Sequence, residues 1–154
     1  GTHQTTALCL RWLDEQDLQD KIVIDYGCGS GILAIAAALL GATRVYCVDN
    51  DPQALQATQL NAERNNVTDK IHVFSPQNMP DIQANVLVAN ILAGPLMELA
   101  PRLTSLIASH GLLALSGILA KQADDVASHY QSDFELTPAV QDEDWIRISG
   151  KKRS

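Results

Sequence analysis

Ile22-Val23-Ile24-Asp25-Tyr26-Gly27-Cys28-Gly29-Ser30-Gly31-Ile32-Leu33 is the stretch that decides the fold. Ile22, Val23 and Ile24 read as a buried strand ending at Asp25, and Gly27 to Gly31 as a tight turn. Ile32 then opens an alanine-rich helix over 32–40, with Gly41 as its C-cap. A glycine turn between a strand and a helix lets the backbone approach a nucleoside closely, because glycine adopts positive φ and carries no Cβ. The spacing narrows the ligand further. A dinucleotide fingerprint runs G-x-G-x-x-G, and its third glycine would fall at Ile32. This chain has G-x-G-x-G instead, with Asp25 two residues ahead of it. An acid at that place repels a pyrophosphate and suits a ligand carrying an ammonium or sulfonium charge, while the helix start offers N–H donors to a carboxylate. Asp49 follows Gly27 by 22 residues, at the carboxyl end of the second strand, where a carboxylate can accept bonds from two ribose hydroxyls. Asp25, Gly27, Gly29, Gly31 and Asp49 are the binding residues this reading selects. Asp51 reads differently, as the N-cap of a helix over 52–65 with Pro52 in its first position.

Outward from the turn, the same rhythm continues. A short amphipathic helix over 5–16 precedes it, with Trp12 as a packing anchor. Strands are expected at 44–48, 71–74, 86–89 and 112–115, and helices over 96–109, kinked or restarted by Pro101, and over 120–130. A polar, proline-bounded loop over 75–81 follows the third strand. Strands at 134–140 and 145–149 close the chain around the acidic turn Asp142-Glu143-Asp144. Strands that are continuous apolar runs, each followed by a helix, form a parallel sheet covered on both faces. The expectation is one α/β domain: a Rossmann-like, mostly parallel seven-stranded sheet with an antiparallel final strand. Its ligand site lies beyond the carboxyl ends of the strands.

Composition narrows the function classes. The 154 residues are 46% hydrophobic and 19% charged, as in an ordinary globular domain, and disorder is excluded. Eleven Lys and Arg against eighteen Asp and Glu give a net charge of −7, which disfavours a phosphate backbone as partner and favours a cationic one. Cys9, Cys28 and Cys47 form no Cys-x-x-Cys pair, so buried thiols in a reducing compartment are expected, with no zinc site. No apolar run is long enough for a membrane helix, and the basic stretch over 150–154 reads as a frayed tail. No Ser-His-Asp or Cys-His arrangement can be assembled, and His72 reads as a structural strand residue.

This pattern resembles the class I S-adenosylmethionine-dependent methyltransferases over nearly the whole chain. Gly1-Thr2-His3-Gln4-Thr5-Thr6, Val88-Ala89-Asn90-Ile91-Leu92-Ala93-Gly94-Pro95-Leu96, Leu115-Ser116-Gly117-Ile118-Leu119 and Trp145-Ile146-Arg147-Ile148-Ser149-Gly150 are together similar to one branch of it. That branch is the family of bacterial enzymes that methylate protein eleven of the large ribosomal subunit. The resemblance implies S-adenosylmethionine as cofactor, that ribosomal protein as partner and a cytoplasmic location, with no direct nucleic-acid or membrane contact. It implies that Thr6, Gly27, Asp49 and Asn90 contact or border the cofactor. The family's threonine motif normally begins with a further Gly-Thr and has proline where this chain has Gln4. Residues 1–154 are therefore expected to be a catalytic domain, which in the family follows a small docking domain for the ribosomal protein. The loop Ser75-Pro76-Gln77-Asn78 departs from the acidic adenine contact common in class I enzymes, and Asn78 is the candidate in its place.

Methyl transfer from a sulfonium is an in-line displacement, so the protein chiefly supplies alignment. Asn90, at the end of the fourth strand, is the expected reaction residue. Its side-chain carbonyl, with the backbone carbonyl of Ile91, can accept bonds from an amine and aim the lone pair. Related amino-methyltransferases carry Asn-Pro-Pro-aromatic here. This chain lacks the prolines and the aromatic, and with them a stacking platform for a flipped base. An aliphatic amine on a ribosomal protein, a lysine side chain or an N-terminal α-amine, fits better. Methylation of RNA or of a small amine is the alternative, and a regulatory module that binds cofactor without turnover is a third reading. His3 and Thr5 are further candidates for lining the cofactor pocket.

Overall fold

The computed structural model describes residues 3–154. Gly1 and Thr2, the first two residues of the quoted opening stretch, lie outside the described residues. Helix α1 (His3–Glu15) leads into β1 (Ile22–Tyr26), α2 (Ile32–Leu39), β2 (Arg44–Val48), α3 (Pro52–Arg64) and β3 (Ile71–Phe74). Then come β4 (Ala84–Asn90), α4 (Ala93–Glu98), α5 (Ala100–Ser105), β5 (Ile107–Leu119), α6 (Ala123–Ser128), β6 (Phe134–Leu136), β7 (Val140–Asp142) and β8 (Trp145–Lys152).

The sheet order is β3-β2-β1-β4-β5-β8-β6, with β7 also on β8. Strands β1 to β5 are parallel, and β8 runs antiparallel to β5 and to both β6 and β7. The expected seven positions and the reversed final strand are therefore present. The edge strand expected over 134–140 is interrupted, because Pro138 has no N–H to give the ladder. It becomes β6 and β7 in succession. From β1 the chain builds outward to β2 and β3, then returns to place β4 on the other side of β1. That reversal opens a crevice at the carboxyl ends of β1 and β4.

Alternation along the strands divides the core in two. Val23, Val86 and Val88 face a layer containing Cys9, Trp12, Leu13 and the alanines of α2. Ile24, Leu87 and Ala89 face Leu96, Leu103, Tyr130 and Phe134. All three cysteines are buried fillers; burial pushes the Cys9 thiol up to about 12. Trp12 is buried as expected, and His72 packs edge-on against Tyr46 with ring centroids 5.8 Å apart.

The third strand is followed by a loop, as expected, which carries one 3-10 turn, Pro76–Asn78, on the way to β4. Two expectations are corrected. The helix expected to reach Ser109 begins earlier, restarts at Ala100 with Pro101 in its first turn, and stops at Ser105; Ile107 already pairs with Ala84 in the sheet. The basic tail is partly ordered structure. Strand β8 runs to Lys152, whose ammonium donates to the carbonyls of Thr104 (2.9 Å) and Ile107 (2.7 Å), closing the end of α5 with a cation.

Candidate active site

At the carboxyl ends of β1 and β4 lies a cavity of ≈ 630 Å³, within the size range of pockets that bury a small ligand. The glycine turn forms its floor. Gly27, Gly29 and Gly31 have φ of 80°, 55° and 86°, a run of left-handed conformations that only glycine takes without strain. The Gly27 and Cys28 amides both donate to the Val48 carbonyl, at 2.6 and 3.0 Å, which ties the turn to the end of β2. A Cβ at Gly29 would meet nothing within 4 Å, so this residue presents bare backbone to the open cavity.

Asp49 lines the cavity beside the turn. Its Oδ2 accepts the Gly29 amide and its Oδ1 the Asp51 amide, each at 3.0 Å. Each oxygen retains a lone pair for a ligand hydroxyl. Tyr26, Val48 and Pro76 supply apolar wall nearby. Asp51 caps α3 through the Gln53 amide at 2.9 Å, as expected from the sequence.

Asp25 is placed otherwise. Expected to face the ligand, it is 1% exposed and is not among the residues lining the cavity. Its Oδ2 accepts the Ala34 amide at 3.1 Å, under the first turn of α2. Burial raises its carboxyl to about 7, against the weaker opposing effect of that hydrogen bond. The electrostatic argument from two acids bracketing the turn is thus corrected: Asp49 alone presents its carboxylate to the cavity. Gly31 is also off the cavity wall, with Thr58 of α3 filling the space where its Cβ would stand. Asn78 is exposed in the 3-10 turn and does not line the cavity, whereas Pro76 does. Thr5 is fully buried in α1 and His3 is exposed; neither lines the cavity.

The opposite wall is built by the end of β4. Asn90 and Ile91 line the cavity together with Gly117 and Trp145. Asn90 Nδ2 lies 3.5 Å from Thr6 Oγ1, a long contact that brings α1 to the site, though Thr6 itself is off the cavity wall. Asn90 Oδ1 is buried and accepts no hydrogen bond. An unmet acceptor of this kind costs about 1–3 kcal/mol, a cost that a donor on a ligand can relieve.

The position of Asn90 and Ile91 is fixed by two glycines. A Cβ at Gly27 would fall on the Ile91 side chain, and one at Gly117 on the Ile91 carbonyl. Gly117 gets there through a bulge. Leu115 pairs with Ile148 and Ile118 with Ile146, so Ser116 and Gly117 together oppose Arg147. Gly117 takes φ 87° there, and the Ser116 hydroxyl donates to the Ile146 carbonyl at 3.0 Å. A single glycine within a strand pattern was the available signal for this bulge. Leu92, Pro95 and Trp145, around the cavity's outer part, stand in the segments that carry the family resemblance but had no role assigned, and Leu99 carried no signal; Leu92 is 70% exposed. Among the described residues no cluster of His, Cys, Asp and Glu could hold a metal ion, and no helix is long and apolar enough to cross a membrane.

Comparison with known proteins agrees with this architecture. The family profile described as Ribosomal protein L11 methyltransferase (PrmA) matches residues 1–153. The Ribosomal protein L11 methyltransferase of Pseudomonas fluorescens is 59% identical over 154 residues, 99% of this chain. The chain spans 53% of that relative's length. The crystal structure of ribosomal protein L11 methylase from Lactobacillus delbrueckii subsp. bulgaricus superposes with a TM-score of 0.91 at 31% identity, covering 100% of this chain and 81% of that one. An RNA methyltransferase from Salinibacter ruber, solved in complex with S-adenosyl-L-homocysteine, shares the fold at TM-score 0.76 and 17% identity, covering 100% of this chain and 94% of that one. With its Rossmann-like sheet, glycine turn and Asn90 wall, the chain belongs to the ribosomal protein L11 methyltransferase family.

Proposed function

We propose that this domain transfers methyl groups from S-adenosylmethionine to amines of ribosomal protein L11, on a lysine side chain, the N-terminal α-amine or both. The observation that carries this reading is Asn90 on the cavity wall at the end of β4, beside β1, with its buried Oδ1 left without a hydrogen-bond partner. The residues present fit the cofactor: Gly29 leaves open space where a Cβ would stand, and Asp49 keeps free lone pairs for ribose hydroxyls. Tyr26, Val48 and Pro76 offer apolar surface for a base. When bound, S-adenosylmethionine supplies an activated methyl group on a sulfonium.

The chain's own work is alignment. A lysine with a pKa near 10.4 must shed a proton before it can attack, at a cost of about 4 kcal/mol near pH ~7.4. An α-amine near ~7.8 sheds it for well under ~1 kcal/mol. Asn90 Oδ1 accepts an N–H of the neutral amine and so turns the lone pair toward the methyl group. The Ile91 carbonyl is the second acceptor in this arrangement. Neither group removes the proton; water takes it before transfer. The net charge of −7 favours encounter with a basic protein. In the same reading residues 1–154 are the catalytic domain of a cytoplasmic enzyme, working with a separate docking domain.

The test is incubation with methyl-labelled cofactor and, in parallel, L11, ribosomal RNA and small amines. Label in L11, located to amino nitrogens by mass spectrometry, is expected. Label only in RNA or only in small amines overturns the reading.

A further inference from the structure

Helix α3 touches the cavity floor from behind, and two of its residues hold that floor by its carbonyls. Thr58 is fully buried, and its hydroxyl donates to the Gly29 carbonyl at 3.0 Å while lying 3.4 Å from the Cys28 thiol. Asn61, three residues on and on the same helix face, donates its side-chain amide to the Ser30 carbonyl at 2.7 Å. Gly31 makes this approach possible: a Cβ there would stand 2.9 Å from both Thr58 Cγ2 and Thr58 Oγ1. The third glycine of the G-x-G-x-G pattern therefore admits the helix and not a ligand.

These bonds close a circuit. Gly29 is held on both sides, its N–H by Asp49 Oδ2 and its carbonyl by Thr58. The other Asp49 oxygen accepts the amide of Asp51, which caps the same helix that carries Thr58. Turn, carboxylate, cap and helix thus fix one another, and the spacing between the bare Gly29 backbone and the Asp49 carboxylate follows from α3. Neither Thr58 nor Asn61 lines the cavity. We infer that Thr58 and Asn61 are positioning residues of the cofactor site, setting through two turn carbonyls the distance between the Gly29 backbone and the Asp49 carboxylate. The inference rests on the reading of this cavity as the S-adenosylmethionine site.

The test replaces the hydroxyl without changing shape, Thr58→Val, and restores it with Thr58→Ser; Asn61→Ala probes the second bond at a less buried place. Cofactor Kd is read by titration calorimetry with S-adenosylmethionine, and steady-state rates give KM for cofactor, KM for L11 and kcat separately. Amide exchange at Gly29 and Ser30 is read by NMR in cofactor-free protein. A net hydrogen bond of about 0.5–1.5 kcal/mol predicts that Thr58→Val raises cofactor Kd and KM by about two- to tenfold, with KM for L11 unchanged. It also predicts faster exchange at Gly29, Thr58→Ser within about twofold of the parent, and a smaller weakening for Asn61→Ala. Should Thr58→Val fail to fold, Asn61→Ala and Thr58→Ser carry the test. Variants that lose thermal stability yet bind cofactor as the parent does overturn the inference. A parent chain that binds no S-adenosylmethionine overturns the reading of the site instead, so the two failures are distinct.

Discussion

The two walls of the cavity are finished to different degrees. On the glycine-turn side the groups nearest the cavity are tied down: Gly29 is bonded through N–H and carbonyl, Ser30 through its carbonyl, and Asp49 through both oxygens. On the Asn90 side one buried acceptor is unmet, the link to α1 is 3.5 Å long, and Leu92 stands 70% exposed beside it. The first wall is built in advance for a ligand of fixed shape. In the function proposed above, the second is completed when the donor of a substrate amine arrives. Pre-organisation lowers the cost of binding on one side, while the other keeps its unmet hydrogen bond for the reacting molecule.

Removing the unmet acceptor is the strongest challenge to this contrast. Asn90→Ala is expected to slow methyl transfer by about 10²-fold or more, since misaligning a reactant by ~1 Å has that effect, while calorimetric cofactor Kd moves less than ~3-fold. Equal losses in both would place Asn90 on the cofactor wall and erase the distinction.

Glycine substitutions sharpen it. Gly117→Ala combines a φ of 87° with a Cβ that lands on the Ile91 backbone, and it should lower stability by about 1–3 kcal/mol, visible as a fall of several degrees in Tm. Gly29→Ala meets nothing in the free protein and pays only for its φ of 55°, about 1–2 kcal/mol, but it should obstruct cofactor binding. The pair is checked by melting curves run with and without S-adenosylmethionine: cofactor should raise Tm for Gly117→Ala and much less for Gly29→Ala.

A further test concerns Asp25, beneath the finished wall. Its carboxyl titrates at about 7 when folded and at 3.8 when exposed, so between those values the folded state binds the extra proton. Stability from this group is therefore lost as pH rises from about 4 to 7. Asp25→Asn keeps an acceptor for Ala34 and removes the titration. Its Tm relative to the parent should climb across that pH window and level off above it; a constant difference would refute the assignment.

Much of this was legible in the sequence, and the exceptions have physical causes. The parallel strands stood out because each is a short apolar run buried on both faces, and the turn because three glycines sit between a strand and a helix. Ile107 to Ser109 misled because they continue a helical period, whereas their pairing with β4 is a contact between distant parts of the chain. Asp25 and Gly31 were found as motif members, but which way each faces depends on α2 and α3 packing against the turn. Lys152 looked like tail because the carbonyls it closes, Thr104 of α5 and Ile107 at the start of β5, lie some 45–48 residues away. Local patterns reveal elements; tertiary packing assigns their duties.

The broken margin of the sheet has a consequence for life in a crowded solution. At one border the outermost strand, β3, has four residues; at the other, β6 and β7 have three apiece, separated by a segment containing Pro138. Neither border offers a long run of free amides and carbonyls on which a stray chain could stack. A sheet that would otherwise invite templated aggregation is blunted at both rims.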